Sequence, residues 1–402
     1  MRRYWLSIFL ALFGISGIAG YYVVGASEEP PAFKLETMEG DPEAAAPIRI
    51  TGNFANRIKA NIFQITATGS RYLPDEGLLD RPHPLWMDYP FYRQLLEDHR
   101  GFMRKKWVES NMYADEQRLV YADVVTRSNR ATSYSILLDL LDRESGRTIH
   151  KEMEMPTPDT NDWAVVCDVQ VVGKELHVLV QKRVGNGGEM ALMYVDHVFD
   201  LEGSYMRDVP LDFKSSKPKF EVRFMGGNGE AEAKHYAGFW SEEHDASDLD
   251  ANGNPRLIYR TFVFRYETGQ ITAIGEARRE KLYNQEFQYV HQVENDALYV
   301  ARVDNDKQSI EVVRHDLVTK RQSDFELKFE SLGASSLQMI RIVADRIYLL
   351  LLDPRSSGNL IVALDGSNGK VIYKGKITPE DNSDKLRAAS HDWQATNIEF
   401  MY

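Results

Sequence analysis

Five short reversals, each set between runs rich in Val, Ile, Leu, Tyr and Phe, recur along this chain at nearly even steps. The sharpest copy is Asp365-Gly-Ser-Asn-Gly369-Lys-Val-Ile-Tyr373, and Asp142-Arg-Glu-Ser-Gly146-Arg-Thr-Ile149 comes next. Looser copies stand at Asp200-Leu-Glu-Gly203, Tyr266-Glu-Thr-Gly269-Gln-Ile271 and Asp316-Leu-Val-Thr-Lys320. An Asp at the head of such a turn accepts backbone amides two residues on, and a Gly three or four residues later supplies the positive φ that closes the reversal. Each copy therefore joins two neighbouring strands. The anchors at 142, 200, 266, 316 and 365 are separated by 58, 66, 50 and 49 residues, with no helical pattern between them. A period of about 50 residues made of short strands is the pattern of a propeller blade, whereas solenoid units are shorter or helical.

The turn resembles the outer hairpin of PQQ-type and related quinoprotein-like or WD40-like β-propellers, in which an Asp, two or three residues, Gly-Lys and an apolar residue recur in every blade. Residues 364–373 carry the match best, and the resemblance spans roughly residues 115–380. It implies a fold and no cofactor, because the tryptophan-docking pattern and the adjacent cysteine pair of quinone-dependent members are missing. The expected architecture is all-β: a propeller of six or seven four-stranded blades over residues 48–402. In that ring residues 48–80 supply a further unit, and residues 396–402 pair with an N-terminal strand to close it. Closure removes exposed sheet edges. The unequal intervals of 58 and 66 keep a pair of β-sandwiches as the alternative.

Ahead of the repeats, Met1-Arg2-Arg3 precedes an uncharged apolar run from Tyr4 to Val24. A helix of that length reaches about 31 Å, enough to cross the hydrocarbon layer. Two arginines before the run, and Glu28 and Glu29 after it, place the N-terminus inside and the remainder outside. The expected localisation is the cell membrane, with a signal-anchor transmembrane helix over residues 1–26, a Pro/Glu/Ala-rich tether over 27–47, and an extracytoplasmic domain. The competing expectation is a secreted protein cleaved near Ala26, where Val24-Gly25-Ala26 offers small residues to signal peptidase. A single cysteine, Cys167, excludes an intramolecular disulfide, and its setting in residues 164–172 reads as a buried, inert thiol. The net charge of −12 repels phosphate backbones, so nucleic acid is not an expected partner.

One helix is expected, an amphipathic insertion near residues 88–107. Asp88 can cap it, Pro90 can open it, and Phe91, Leu95, Phe102 and Met103 recur at helical spacing. Its basic end, Arg104-Lys105-Lys106, complements the carbonyl end of the helix dipole. The sharpest chemical motif is Asp248-Leu-Asp250-Ala-Asn252-Gly253-Asn254. Acids at its first and third positions, Asn at the fifth and Gly at the sixth match the first half of a calcium loop, but its twelfth position is Tyr259 instead of a bidentate Glu. Asp248, Asp250 and Asn252 are thus the candidate calcium ligands, and a solvated hairpin turn is the competing account.

Other candidates have ordinary explanations. His235, His244 and Asp245 lack metal-site spacing, and Gly185–Gly188 and Gly226–Gly229 lack the Lys-Ser/Thr of a phosphate loop. Trp86, Tyr89, Phe91 and Tyr92 suit docking of the helix onto the domain. No nucleophile motif is present, so no catalytic residue is assigned. The expected function is that of a membrane-tethered, non-catalytic propeller that binds or scaffolds a protein or envelope component. The alternative is an extracytoplasmic hydrolase or lyase acting on an envelope polymer at the propeller channel.

Overall fold

The structure is a computed structural model that describes residues 5, 9–10, 12–17, 32–55, 60–72, 90–106, 111–125, 131–186, 189–213, 221–226, 234–249, 253, 255–279, 287–354, 359–380 and 393–400. Strands dominate, and they form six four-stranded antiparallel units. The fold is all-β, with the arrangement of a six-bladed propeller.

The first strand in the chain, β1 (Phe33–Gly40), is followed by β2 (Ile48–Ala55), β3 (Ala60–Thr66) and β4 (Gly69–Tyr72). These last three form the first sheet with β24 (Trp393–Phe400), in the order β24-β2-β3-β4. The second sheet holds β5 (Met112–Ala114), β6 (Arg118–Val125), β7 (Ala131–Asp142) and the beginning of β8 (Thr148–Val172). The rest of β8 opens the third sheet, with β9 (Glu175–Asn186), β10 (Glu189–Asp200) and β11 (Tyr205–Leu211). The fourth is β12 (Glu221–Phe224), β13 (Tyr236–Leu249), β14 (Pro255–Arg265) and β15 (Gln270–Arg279). The fifth is β16 (Phe287–Glu294), β17 (Ala297–Asp304), β18 (Ser309–Asp316) and β19 (Gln322–Lys328). The sixth is β20 (Ser336–Val343), β21 (Arg346–Leu352), β22 (Asn359–Asp365) and β23 (Val371–Pro379).

All five reversals read from the sequence join the third strand of a sheet to its fourth. The Oδ1 atoms of Asp142, Asp200, Asp316 and Asp365 accept amides from Ser145, Glu202, Thr319 and Ser367 at 2.7, 3.0, 2.6 and 2.8 Å. Hydrogen bonds within the turns, chiefly from the amides of Ser145, Ser204 and Thr319 and the hydroxyl of Ser367, hold each carboxyl below its ordinary value. Gly146 and Gly369 sit at φ 70° and 71°, the left-handed region that Gly reaches without strain. The long 58-residue step comes from β8, one continuous strand serving two blades, and from 12-residue strands β9 and β10.

Successive sheets pack face to face instead of pairing into sandwiches. Apolar clusters fill the second–third, third–fourth, fourth–fifth, fifth–sixth and sixth–first interfaces. The ring is latched by β24, which pairs with β2 from Ile48↔Phe400 to Phe54↔Trp393. The expected closing strand is therefore present, beginning three residues earlier than the sequence reading placed it. A second latch lies inside the stretch read as a tether. There β1 pairs antiparallel with β23, from Phe33↔Pro379 to Gly40↔Tyr373, and a 3-10 turn at Pro42–Ala45 buries Ala44 and Ala45. From Phe33 onward this segment belongs to the folded body. The physical reason is alternation: Phe33 and Leu35 turn inward while Lys34 and Glu36 turn outward, a period that Pro and Glu enrichment concealed.

Two short helices, α1 (Pro90–Asp98) and α2 (Arg100–Met103), occupy the expected insertion. Leu95, Phe102 and Met103 pack on Met112, Leu119, Tyr121 and Leu141, covering the face of the second sheet turned away from the third. Lys106 Nζ donates to Phe102 O at 2.6 Å and pairs with Asp139 at 2.6 Å, so the basic end caps the helix as its charge suggests. At the N-terminus the described residues are helical, and Trp5, Phe9, Leu10, Leu12, Phe13 and Ile15 are each at least 59% exposed. Among the described residues, no helix is long and apolar enough to cross a membrane.

Candidate functional site

Among the described residues, the greatest concentration of buried ionisable groups lies in the third sheet. Alternation along β9 and β10 puts His177, Leu179, Tyr194, Asp196 and Val198 on the face toward the fourth sheet, and His197 and Phe199 on the face toward the second. On the first face, His177 Nδ1 lies 2.8 Å from Asp196 Oδ2, with exposures of 1% and 0% for the two side chains. Glu175 stands 3.7 Å from His177 Nε2 and forms a bidentate pair with Arg207, both bonds 2.7 Å. The Tyr266 ring, from the fourth sheet's turn, lies 5.3 Å from His177, and its hydroxyl donates to Asp168 Oδ2 at 2.7 Å. Burial pushes the Asp196 carboxyl above its ordinary value, against the opposing bond from His177. Burial and Asp168 push the Tyr266 phenol well up.

On the opposite face, His197 bridges two residues: Nδ1 lies 2.6 Å from Asp208 Oδ1, and Nε2 lies 2.6 Å from the Tyr134 hydroxyl of the second sheet. Burial raises Asp208, but the His197 bond and charge outweigh it and hold the carboxyl below its ordinary value. Tyr134 and His197 are both about as hidden as His177. An Asp–His–Tyr chain can hold or relay a proton, yet a buried hydroxyl offers no substrate access. These clusters bind blade to blade.

A second set of polar side chains runs along the first strands of the sheets, where β16 approaches β20 and β20 approaches β24. Arg341 Nη2 donates to Asn397 Oδ1 at 2.9 Å, linking the sixth sheet to the first. Gln292 Nε2 donates to Ile342 O at 2.5 Å, and Glu294 Oε1 accepts the Ala344 amide at 2.9 Å, linking the fifth to the sixth. Thr51 donates to Glu399 Oε1 at 2.8 Å. Gln292, Glu294 and Asn397 on these inner strands thus hold neighbouring blades together. Beside the Asp142 turn of the second sheet, Asp98, His99, Glu116, Arg143 and Glu144 line an open depression of about 520 Å³.

Of the residues singled out in the sequence, Asp248 lies in the closing stretch of β13, while Asp250 and Asn252 lie outside the described residues. Among the described residues, no group of three or more His, Cys, Asp or Glu could hold a metal ion. His235 is exposed, and burial lowers His315 below its ordinary value. Burial pushes the Cys167 thiol up to about 12, which fits the inert reading. Trp86 and Tyr89 lie outside the described residues, and Phe91 and Tyr92 fall within α1. His177 and His197 escaped the sequence reading, although His177 in Leu176–Val180 and the Asp196-His197 pair in Tyr194–Phe199 are polar residues within apolar strand runs, which is a usable signal.

No protein-family model matches the chain, and no curated protein matches it. Among solved structures, a Synechocystis apocarotenoid oxygenase mutant is 9% identical, over 93% of this chain and 97% of that one, with a TM-score of 0.41. Native Bacillus subtilis arabinanase is 12% identical over 67% of this chain and 93% of that one, with a TM-score of 0.25. Likeness this distant leaves the chemistry to be argued from the residues themselves.

Proposed function

We propose that this protein is a membrane-tethered extracytoplasmic β-propeller that binds or scaffolds a protein or envelope component without turning it over. The observation that carries the reading is the N-terminal helical stretch. Its large apolar side chains Trp5, Phe9, Leu10, Leu12, Phe13 and Ile15 are each at least 59% exposed, an arrangement favourable only in an apolar environment. The body supports the same reading, because Arg341, Gln292 and Glu294 on its inner strands are bound across blades, to Asn397, the Ile342 carbonyl and the Ala344 amide. Kinship with the quinoprotein-like or WD40-like propellers belongs to this proposal and is supported by the Asp-headed outer turn of four sheets.

The test is extraction of full-length protein from membranes. An anchored chain stays with the membrane after an alkaline carbonate wash, whereas soluble protein beginning at Ser27 marks the cleaved, secreted form. A hydrolase or lyase at the channel remains the competing function, and depolymerisation of isolated envelope polymer by the purified ectodomain would establish it.

Calcium at Asp248, Asp250 and Asn252 forms part of the proposal as a loop-stiffening ion with no role in chemistry. Chelator then lowers the melting temperature, and Asp250→Ala removes the difference. Identical melting with and without chelator eliminates the ion.

A further inference from the structure

Asp168 and Asp196 both turn toward the fourth sheet, and they are provided for unequally. Asp168 accepts from the Val169 amide at 3.0 Å, from Gln170 Nε2 at 3.0 Å and from the Tyr266 hydroxyl at 2.7 Å. Three donors suit an ionised carboxylate. Asp196 is fully buried, and among the described residues its only hydrogen-bond partner is His177 Nδ1 at 2.8 Å, with none for Oδ1. A carboxylate charge held by one bond in the interior is costly. A neutral carboxyl donating from Oδ2 to the Nδ1 lone pair leaves no charge there.

The groups around Asp196 sharpen the contrast. β9 presents His177 and Glu175, β11 presents Arg207, and β8 presents Asp168 and Gln170. Glu175 and Arg207 bind each other through two bonds of 2.7 Å, so the guanidinium charge is largely spent before it reaches a second anion. From the fourth sheet come Tyr266 with apolar Phe264 and Ile271, and the Lys234 amide, which donates to Gln170 Oε1 at 2.7 Å. Burial moves the Asp196 carboxyl upward, as this setting requires.

The other face of the same strand lacks this dependence. His197 meets Asp208 through Nδ1 and the Tyr134 hydroxyl through Nε2. A hydroxyl turns from donor to acceptor, so that bridge keeps both bonds whether the ring is neutral or charged.

We propose that the His177–Asp196 contact is a pH-operated clasp: while Asp196 holds its proton the third and fourth sheets stay closed around it, and loss of that proton as pH rises opens this junction locally and uncovers Cys167. Ionised Asp196 gains by admitting water. Water reaching it parts the Tyr266 ring from His177, 5.3 Å away, and strains the bond from Tyr266 to Asp168. Cys167 immediately precedes Asp168 on β8 and packs against the apolar cluster of the same junction. The proton stabilises the closed form fully below the ordinary carboxyl value of about 4, and that contribution falls away as pH climbs to the raised native value.

The native cysteine serves as the reporter. Full-length protein in detergent micelles reacts with methyl methanethiosulfonate at a series of pH values. Each rate is divided by that of Asp196→Asn at the same pH, which cancels the ionisation of the thiol itself. The ratio should rise by up to about tenfold per pH unit above about pH 4 and then level off, with the β-sheet circular dichroism unchanged. Asp208→Asn, which alters the opposite face, should keep the wild-type rise. Where Asp196→Asn does not fold, the wild-type rate is set against that of N-acetylcysteine and should outpace it over the same interval. A flat ratio overturns the clasp, as does loss of the circular dichroism alongside labelling, which marks global unfolding. Loss of the rise in Asp208→Asn overturns its placement between the third and fourth sheets.

Discussion

The fifth and sixth sheets meet differently from the third sheet and its neighbours. Between the fifth and sixth, Ala301, Val312, Leu349, Val362 and Leu364 form an interdigitated, essentially unexposed apolar centre, with the polar links of Gln292, Glu294 and Tyr299 to the sixth sheet beside it. The third sheet instead joins its neighbours partly through Tyr134–His197–Asp208 on one face and His177–Asp196 beside Tyr266–Asp168 on the other. One fold thus uses two kinds of fastening. Apolar burial is nondirectional and indifferent to pH, whereas a buried polar pair is directional and depends on its protons. His177 Nε2 and Asp196 Oδ1 find no hydrogen-bond partner among the described residues, so this interface carries a cost that the apolar one lacks.

The largest expected effect comes from cutting each fastening once. Leu349→Ala should cost about 3–4 kcal/mol, equally at acid and neutral pH, in denaturant unfolding. Asp196→Ala should cost about 3 kcal/mol, because it strands a buried imidazole, and that cost should vary with pH. Equal pH behaviour in the two variants would erase the distinction between the interfaces.

A finer test concerns the sign of that variation. Burial raises the Asp196 carboxyl in the folded chain, so its contribution is full below the unfolded value of about 4 and is lost as pH climbs through the raised native value. Asp196→Asn should therefore gain on the wild type as pH rises, seen as a shrinking gap in melting temperature. The turn aspartates act in the opposite direction. Their lowered values make the contribution present above the unfolded value and lost as pH falls.

The smallest effects separate two turns of like backbone. Gly369→Ala both strains a φ of 71° and drives a Cβ into the Phe325 ring, at a cost of about 2 kcal/mol. Gly146→Ala has the same strain with open space around it and should cost about 1 kcal/mol. Thermal melts of the two variants check the order.

The outer turns were legible because an Asp side chain bonding amides two or three residues ahead is a local device, visible in a five-residue window. Blade closure by β24 was legible for a related reason, as a terminal apolar run needs a partner strand. The role of β1 was obscured because only Phe33 and Leu35 face inward among charged neighbours. β8 runs from one blade into the next as a single strand through Pro156-Thr-Pro158-Asp159, residues that read locally as a turn, so its continuity was not legible. The His177 and His197 clusters were beyond reach of spacing arguments altogether. Asp196, Asp208 and Tyr134 meet them through cross-strand register and contacts between sheets, which no fixed interval along the chain encodes.

The central claim is a ring closed at both chain ends, with β1 fastened to β23 and β24 to β2, and it is tested most directly by amide hydrogen exchange. The account predicts that amides in Phe33–Gly40 and Trp393–Phe400 exchange as slowly as those of the strands they pair with. Rapid exchange across Phe33–Gly40, at the rate of an unstructured linker, would contradict it.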